Sequence, residues 1–429
     1  MLSRRDFVRC GVLAGTAGLV AGCGGRAAPE GELVRSAVRR TVPDPAGATG
    51  AAAGLRTFAA DLYRRVAVED GNLGCSPYSV AVALAMARTG ARGRTAQEMD
   101  RVLHAAGLRG LNDGLGAVAA ALEERSGPVR RTDGSKAEID LRVANSLWGQ
   151  HGVTWQPPFL DALARTYGTG MRVVDYRADA DGARVRINAW IGDETAGRIP
   201  HLLPEKSLDA LTRLVLVNAL FLKAPWEHPF GKERTTARPF TRSDGSTVDV
   251  PTMTDRFHGT RYARGAGWTA AELPYAGGAL AMTVIRPDGG LAALERSLDG
   301  PGLSRIDRAL APVPALDLRI PKWTFSTSLG LNETLSALGM PTAFDEHGAD
   351  FTGMTTDMPL HISTVQHETY VAVDEAGTEA AAATAVSIGS VSAVPAPAEL
   401  VLDRPFLFLI QDRPTGTPLF LGRVADPST

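Results

Sequence analysis

The chain has 429 residues, of which 44% are hydrophobic and 21% charged, with a formal net charge of -2. That is ample apolar material for a sizeable core, and the near-neutral balance gives no electrostatic case for nucleic acid. Three cysteines cannot build a disulfide framework or a cysteine-based zinc cluster.

The chain begins as a targeting segment. "SRRDFVR" (Ser3 to Arg9) resembles a twin-arginine export signal, and "CGVLAGTAGLVAG" is an apolar stretch too short and glycine-rich for a comfortable membrane span. "LVAGC" resembles a lipobox ending at Cys23, the residue that would be lipidated; an ordinary cleaved signal is the alternative. Gly24 to Gly54 is rich in Ala, Gly, Arg and Pro without a sustained period, so it reads as a tether. The organisation expected is a signal over 1–23, a linker over 24–54 and one folded domain over 55–429.

From Leu55 the chain is patterned to its end. Leu55, Phe58, Leu62 and Val66 recur at helical spacing. "SPYSVAVALAMARTG" enters a helix on Ser-Pro and leaves it on Gly90, with faces so uniformly apolar that burial on more than one side is expected. Thr95-Ala-Gln-Glu98 has the form of a capping box opening another helix. "LVLVNALFL" (Leu214 to Leu222) reads as a strand covered on both faces, whose buried Asn218 amide needs partners. "LAMTVIRP", "LDLRIPKW" and "ETYVAVDE" are further strand candidates, and "PFLFLIQDRPTGTPLFLGRV" predicts a hairpin turning at Arg413 to Gly416. Helices in the first half and strands in the second give an α+β class in a single domain. Cys75, without a partner, reads as a small buried hydrophobe.

No nucleophile elbow, P-loop, dinucleotide fingerprint or HExxH signature is present, and no His/Asp/Glu cluster has metal-ligand spacing. Neither an enzyme nor a cofactor is expected.

Several stretches, in order, resemble the serpin family. They include "NLGCSPYSVAVALAMARTGARGRTAQEM", "VANSLWGQHG", "INAWIGDETAGRI" and "LVLVNALFLKAPWEHPF". "LSALGMPTAFDEHGADFTGM", "HETYVAVDEAGTEAAAATA" and "DRPFLFLIQDRPTGTPLFLGRV" follow, so the likeness spans Leu55 to Pro427. The resemblance implies three β-sheets with about nine helices and an exposed reactive-centre loop near the C-terminal end. It implies a serine protease inhibitor acting as a suicide substrate, with a protease as covalent partner and the inhibitor itself a monomer. It places Ser76, Ser79, Asn218 and His367 in a hydrogen-bonded cluster beneath the central sheet where its strands part. Trp226 falls at the point of loop entry, and Lys322 and Glu375 pair at the top of that sheet.

The same resemblance gives "GTEAAAATAVSIGS" (Gly377 to Ser390) two states, an exposed loop and then a strand. Strand side chains alternate. With Thr378 first, the inward set is Thr378, Ala380, Ala382, Thr384, Val386 and Ile388, and it carries no charge. Glu379 falls on the solvent side with Ala381 and Ala383, Gly377 supplies the hinge, and Ala376 faces the exposed start of the loop. Aligning Glu375 with the glutamate that opens the hinge of inhibitory members places the scissile bond at Val391-Ser392. Counting back from Pro405 points instead to Val394-Pro395, and Ile388-Gly389 is a third possibility. Each puts an aliphatic residue before the cut, which suits an elastase- or subtilisin-like target. A non-inhibitory member that binds or chaperones is the rival reading. Arg125, Arg130 and Arg131 are too few to mark a heparin-like cofactor site.

Overall fold

Strand alternation sorts residues between two cores in the computed structural model, which describes residues 31–379 and 396–429. Along the strand Leu214–Pro225, Leu214, Leu216, Leu220 and Leu222 enter one core while Val215, Val217 and Ala219 enter another. A strand buried on both faces has no polar side to present, hence its continuous apolar run. The helix Ala180–Glu194 closes the outer core with Ile187, Trp190 and Ile191. The inner face meets the helix Pro77–Gly90, every residue of which is buried.

That strand sits at the centre of the largest sheet. In order across it lie Glu32–Val34, Met171–Val174, Lys136–Gln150, Leu214–Pro225, Gly377–Thr378, Thr364–Val373 and Trp323–Gly330. A second sheet of seven strands contains the hairpin Phe406–Asp412 and Thr417–Val424, with Leu73–Cys75 at its edge, and a third has four. With nine α-helices among the described residues, the expected α+β architecture is present.

Local chemistry explains the helix entry at Ser76. Pro77 occupies the first turn, where its missing N–H costs nothing, and the Ser76 hydroxyl accepts from the Ser79 amide at 3.2 Å. Cys75 is fully buried with its thiol against the Leu421 carbonyl, and burial pushes its pKa up to about 12.

Three local expectations need correction. The segment 31–54 is no tether: Glu32–Val34 pairs antiparallel with Met171–Val174, and a helix runs from Ala46 to Val66. Its early turns are Ala/Gly-rich because they lie against another small-residue helix, Leu108–Glu123. A Cβ on Gly114 would come within 2.7 Å of the Ala51 Cβ. Thr95 and Glu98 do not cap a helix. They lie inside Gly93–Val102, where Thr95 accepts from the Asp350 amide and Glu98 from Arg94 and the Thr342 amide. The first half also holds a fifteen-residue strand, Lys136–Gln150, against the expected dominance of helices there.

Candidate functional site

The two central strands of the large sheet are paired for only part of their length. Thr364 to Thr369 run parallel to Val215 to Leu220 in unbroken register. Beyond that the strands diverge, and Gly377–Thr378 occupies the fork, antiparallel to both neighbours. Thr378 lies opposite Val373 on one side and Ala224 on the other, and Gly377 opposite Pro225.

A tight turn aims the chain into this fork. The Asp374 carboxylate accepts from the amides of Ala376 and Gly377 at 2.8 and 3.2 Å, and the Asp374 amide donates to the Gly377 carbonyl. This is an Asx-type turn, in which a side chain replaces a backbone partner. Gly377 has φ +154°, and a Cβ there would lie 2.2 Å from the Ala224 carbonyl oxygen, so the approach admits only glycine.

Trp226 braces the turn from beneath. Its indole N–H donates to the Asp374 carbonyl at 3.0 Å and its amide to the Ala376 carbonyl at 2.9 Å. The ring stacks on Tyr275 with centroids 4.6 Å apart, and the Tyr275 hydroxyl reaches Thr378 Oγ1 at 2.6 Å. Arg131, itself buried, donates to the Trp226 carbonyl, while Arg125 pairs with the buried Asp412. Glu375 accepts from Lys322 Nζ and the Thr235 hydroxyl, both at 2.8 Å. Burial opposes its charge, but Lys322 and Thr235 outweigh that and hold the carboxyl below the usual range.

Within the paired segment, at the rung of His367 and Asn218, the polar cluster lies buried. The Ser76 amide donates to His367 Nε2 at 2.9 Å, so Nδ1 carries the proton and donates to the Asn218 carbonyl at 3.2 Å. The ring is therefore held neutral, and burial lowers its pKa to about 4. The Ser79 hydroxyl meets the Asn145 carboxamide at 2.6 Å and the Ala219 carbonyl at 3.3 Å.

Three expectations about these residues are corrected. Asn218 joins the cluster through its backbone carbonyl, and its buried carboxamide has no partner among the described residues. Ala376 is buried beside Trp226 instead of facing solvent, because the turn folds it inward. Glu379 is not on an open face: its side chain is 12% exposed against Arg198, at φ +51°. Burial raises its pKa, with Arg198 pulling the other way. Ala380 to Ala383, Val391, Ser392 and Cys23 lie outside the described residues.

Sequence reasoning missed Tyr275 and Asn145. Asn145 had a signal, being a polar residue in "VANSLW" and register partner of Asn218. Tyr275 had none, since only the tertiary fold brings "LPYAGG" under Trp226. Among the described residues no three His, Cys, Asp or Glu side chains are grouped to hold a metal ion.

Comparison with known proteins places this geometry in context. The family model described as serpin (serine protease inhibitor) matches residues 53–427. The leukocyte elastase inhibitor A of Rattus norvegicus is 32% identical, over 86% of this chain and 97% of its own. The leukocyte elastase inhibitor of Homo sapiens is likewise 32% identical over 86% and 97%. Among solved structures, the thermophilic serpin tengpin in its native state superposes with a TM-score of 0.80, at 24% identity, covering 93% of this chain and 100% of that one. Serpin48 of Tenebrio molitor gives 0.76 at 29% identity, covering 88% and 98%.

Proposed function

The chain belongs to the serpin family, and from that premise we propose that it inhibits elastase- or subtilisin-like serine proteases by inserting its cleaved loop into the central sheet. The observation that carries this reading is the position of Gly377–Thr378, already paired with both strands of the fork. Continued in that register, the following residues replace one parallel ladder by two antiparallel ones. Parallel pairing is the slightly weaker kind, so the exchange gains in number and in quality. A dozen residues entering the ladder at ~0.5–1.5 kcal/mol per net hydrogen bond release on the order of 10 kcal/mol.

While the loop is tied at both ends it cannot advance. The protease serine attacks the carbonyl of the residue before the cut, the peptide C–N bond breaks, and the new amine leaves with the C-terminal fragment. The loop is then free at one end and carries the enzyme as an ester. Twelve residues of strand span about 40 Å, matching the length of Leu214–Pro225, so insertion carries the acyl-enzyme from one end of the sheet to the other. Displacement of its catalytic groups from the ester prevents water from completing hydrolysis.

The cut is placed at Val391-Ser392, with Val394-Pro395 and Ile388-Gly389 as alternatives. An aliphatic residue before each bond fits a shallow apolar pocket, in keeping with the elastase inhibitors among the relatives. The N-terminal signal reading makes the protein an exported lipoprotein anchored through Cys23, which mass spectrometry of the mature N-terminus tests. The function is tested by incubation with elastase and subtilisin. A detergent-stable complex and a released fragment beginning at Ser392 are expected. Cleavage without a complex would instead make the chain a non-inhibitory binder.

A further inference from the structure

Past Pro225 the chain leaves the large sheet for the second one. Trp226 bridges Tyr275, the Glu227 amide donates to the Pro274 carbonyl at 2.9 Å, and the Ala276 amide donates to the Pro225 carbonyl at 2.8 Å. Onto this crossing folds a hairpin from elsewhere in the chain. Gly127–Arg130 pairs antiparallel with Lys136 to Ile139, and a turn over Arg131 to Ser135 closes it. Two charged side chains fasten the hairpin there. The Glu227 carboxylate accepts from the Thr132 amide and hydroxyl at 2.6 and 2.8 Å, and from the Gly277 amide at 2.9 Å. The Arg131 guanidinium donates through Nε to the Trp226 carbonyl at 2.8 Å and through a terminal nitrogen to the Ser135 hydroxyl at 3.2 Å.

Stability alone does not explain this junction. Arg131 is 8% exposed and Glu227 6%, yet among the described residues neither makes an ion pair. A buried charge without a counter-charge in contact is costly, and hydrogen bonds must replace its hydration. Here those bonds converge on the backbone of Trp226 and on the side chain next to it. Trp226 in turn holds the turn over Asp374 to Gly377 through its indole and its amide. The hairpin is also referenced to the second sheet at two places. Glu227 ties it to Gly277, and Arg125, just before it, pairs with Asp412 at the end of Phe406–Asp412. Position is what the two charges gain.

The fork shows what must be held. At Ala224 and Val373 its strands stand two spacings apart, ~9.6 Å, with Thr378 between them. From Leu220 and Thr369 downwards they are one spacing apart, ~4.8 Å. The offset between the two strands is the same at the rung of Thr378 as at Val215 and Thr364, so an entering strand continues without a register shift. Only the lower part has to open. We propose that Arg131 is a positioning residue for insertion. With Glu227 it fixes Trp226 to the second sheet, keeps the top of the fork wide enough for one strand, and makes Trp226 the pivot about which Leu214–Pro225 swings. This deepens the insertion reading and rests on it. Without the clamp the parallel pairing extends past Leu220 and expels Thr378, so a cleaved loop must first reopen the top. That delay lets the protease finish hydrolysis and leave.

Arg131→Met keeps most of the side chain's bulk and removes its donors, and Arg131→Lys restores one. Hydrogen exchange of the intact chain is read by mass spectrometry on the peptide covering Asp374 to Glu379. It should quicken at least about tenfold in Arg131→Met, with Phe406 to Asp412 unchanged and Arg131→Lys close to wild type. The moles of protein consumed per mole of elastase inhibited should rise at least about twofold in Arg131→Met and return in Arg131→Lys. Thr132→Ala loses only the 2.8 Å hydroxyl bond to Glu227. It should move both readouts the same way by less, and it replaces Arg131→Met if that variant does not fold. Unchanged exchange at Asp374 to Glu379, exchange quickened throughout the chain, or a lysine variant no better than the methionine one would overturn the assignment. If elastase cuts the wild type without any complex, the inhibitor reading fails, and the exchange measurement still decides the clamp.

Discussion

The hydroxyls of Thr378 and Tyr275 lie 2.6 Å apart, with Thr378 only 3% exposed inside the central sheet. The first inward residue of the hinge is thus already seated. Replacing it by a charge, Thr378→Arg, puts an unpaired guanidinium where the next rung must form. The variant should still be cut by elastase, but the detergent-stable complex on a denaturing gel should fall at least about tenfold, a shift of ~1.4 kcal/mol in partitioning. Undiminished complex would sink the insertion mechanism.

Gly377→Ala tests the turn that aims the chain. The added Cβ meets the Ala224 carbonyl at 2.2 Å, so either the turn or the top of the sheet must give. A loss of about 1–3 kcal/mol is expected for a strained backbone site, read as a lower midpoint in urea. An unchanged midpoint would mean that Gly377 is not held in the fork in solution.

His367 and Glu368, adjacent on one strand, give the native state opposed pH responses. His367 binds its proton less readily folded, at about 4 instead of 6.5, so its contribution is complete above 6.5 and lost as pH falls towards 4. Glu368, on the opposite face, is raised by burial from 4.5 to about 7, so its carboxylate destabilises the fold as pH rises through that range. The two largely cancel between pH 4.5 and 6.5. Glu368→Gln should unmask the histidine, giving a melting temperature that rises with pH across that window and exceeds wild type at pH 7. Parallel profiles for the two proteins would contradict this.

The segment before Ala46 straps the edge of the sheet to the helices. Besides the pairing of Glu32–Val34 with Met171–Val174, the Thr41 amide donates to the Arg165 carbonyl at 2.9 Å and Ser36 to Asp161. Removing everything before residue 46 should lower stability by about 1–3 kcal/mol, at ~0.5–1.5 per net hydrogen bond. A denaturation curve superimposable on that of the untruncated chain would mean the strap is not bound.

Much of this was legible from local signals. The Ser76-Pro77 entry, the doubly buried strand at Leu214–Pro225 and the hairpin at Arg413 to Gly416 follow from capping, alternation and turn chemistry. The failures share a cause. The helix from Ala46 packs through Ala and Gly, so close approach replaced the bulky period that marks a core face. The burial of Ala376 and Glu379 depends on a turn whose partners, Trp226 and Tyr275, are distant in sequence. Asn218 was recognised as buried, but which of its atoms bonds was set by the His367 tautomer, which only the fold determines.

The melting temperature of the chain cut once within its loop, set beside that of the intact chain, bears most directly on the inserted strand. Two new ladders in place of one should raise it by tens of degrees, on the order of 10 kcal/mol of added stability. Equal melting temperatures, with the cut verified by N-terminal sequencing, would mean that no strand enters the fork and that the protein does not act as a spring.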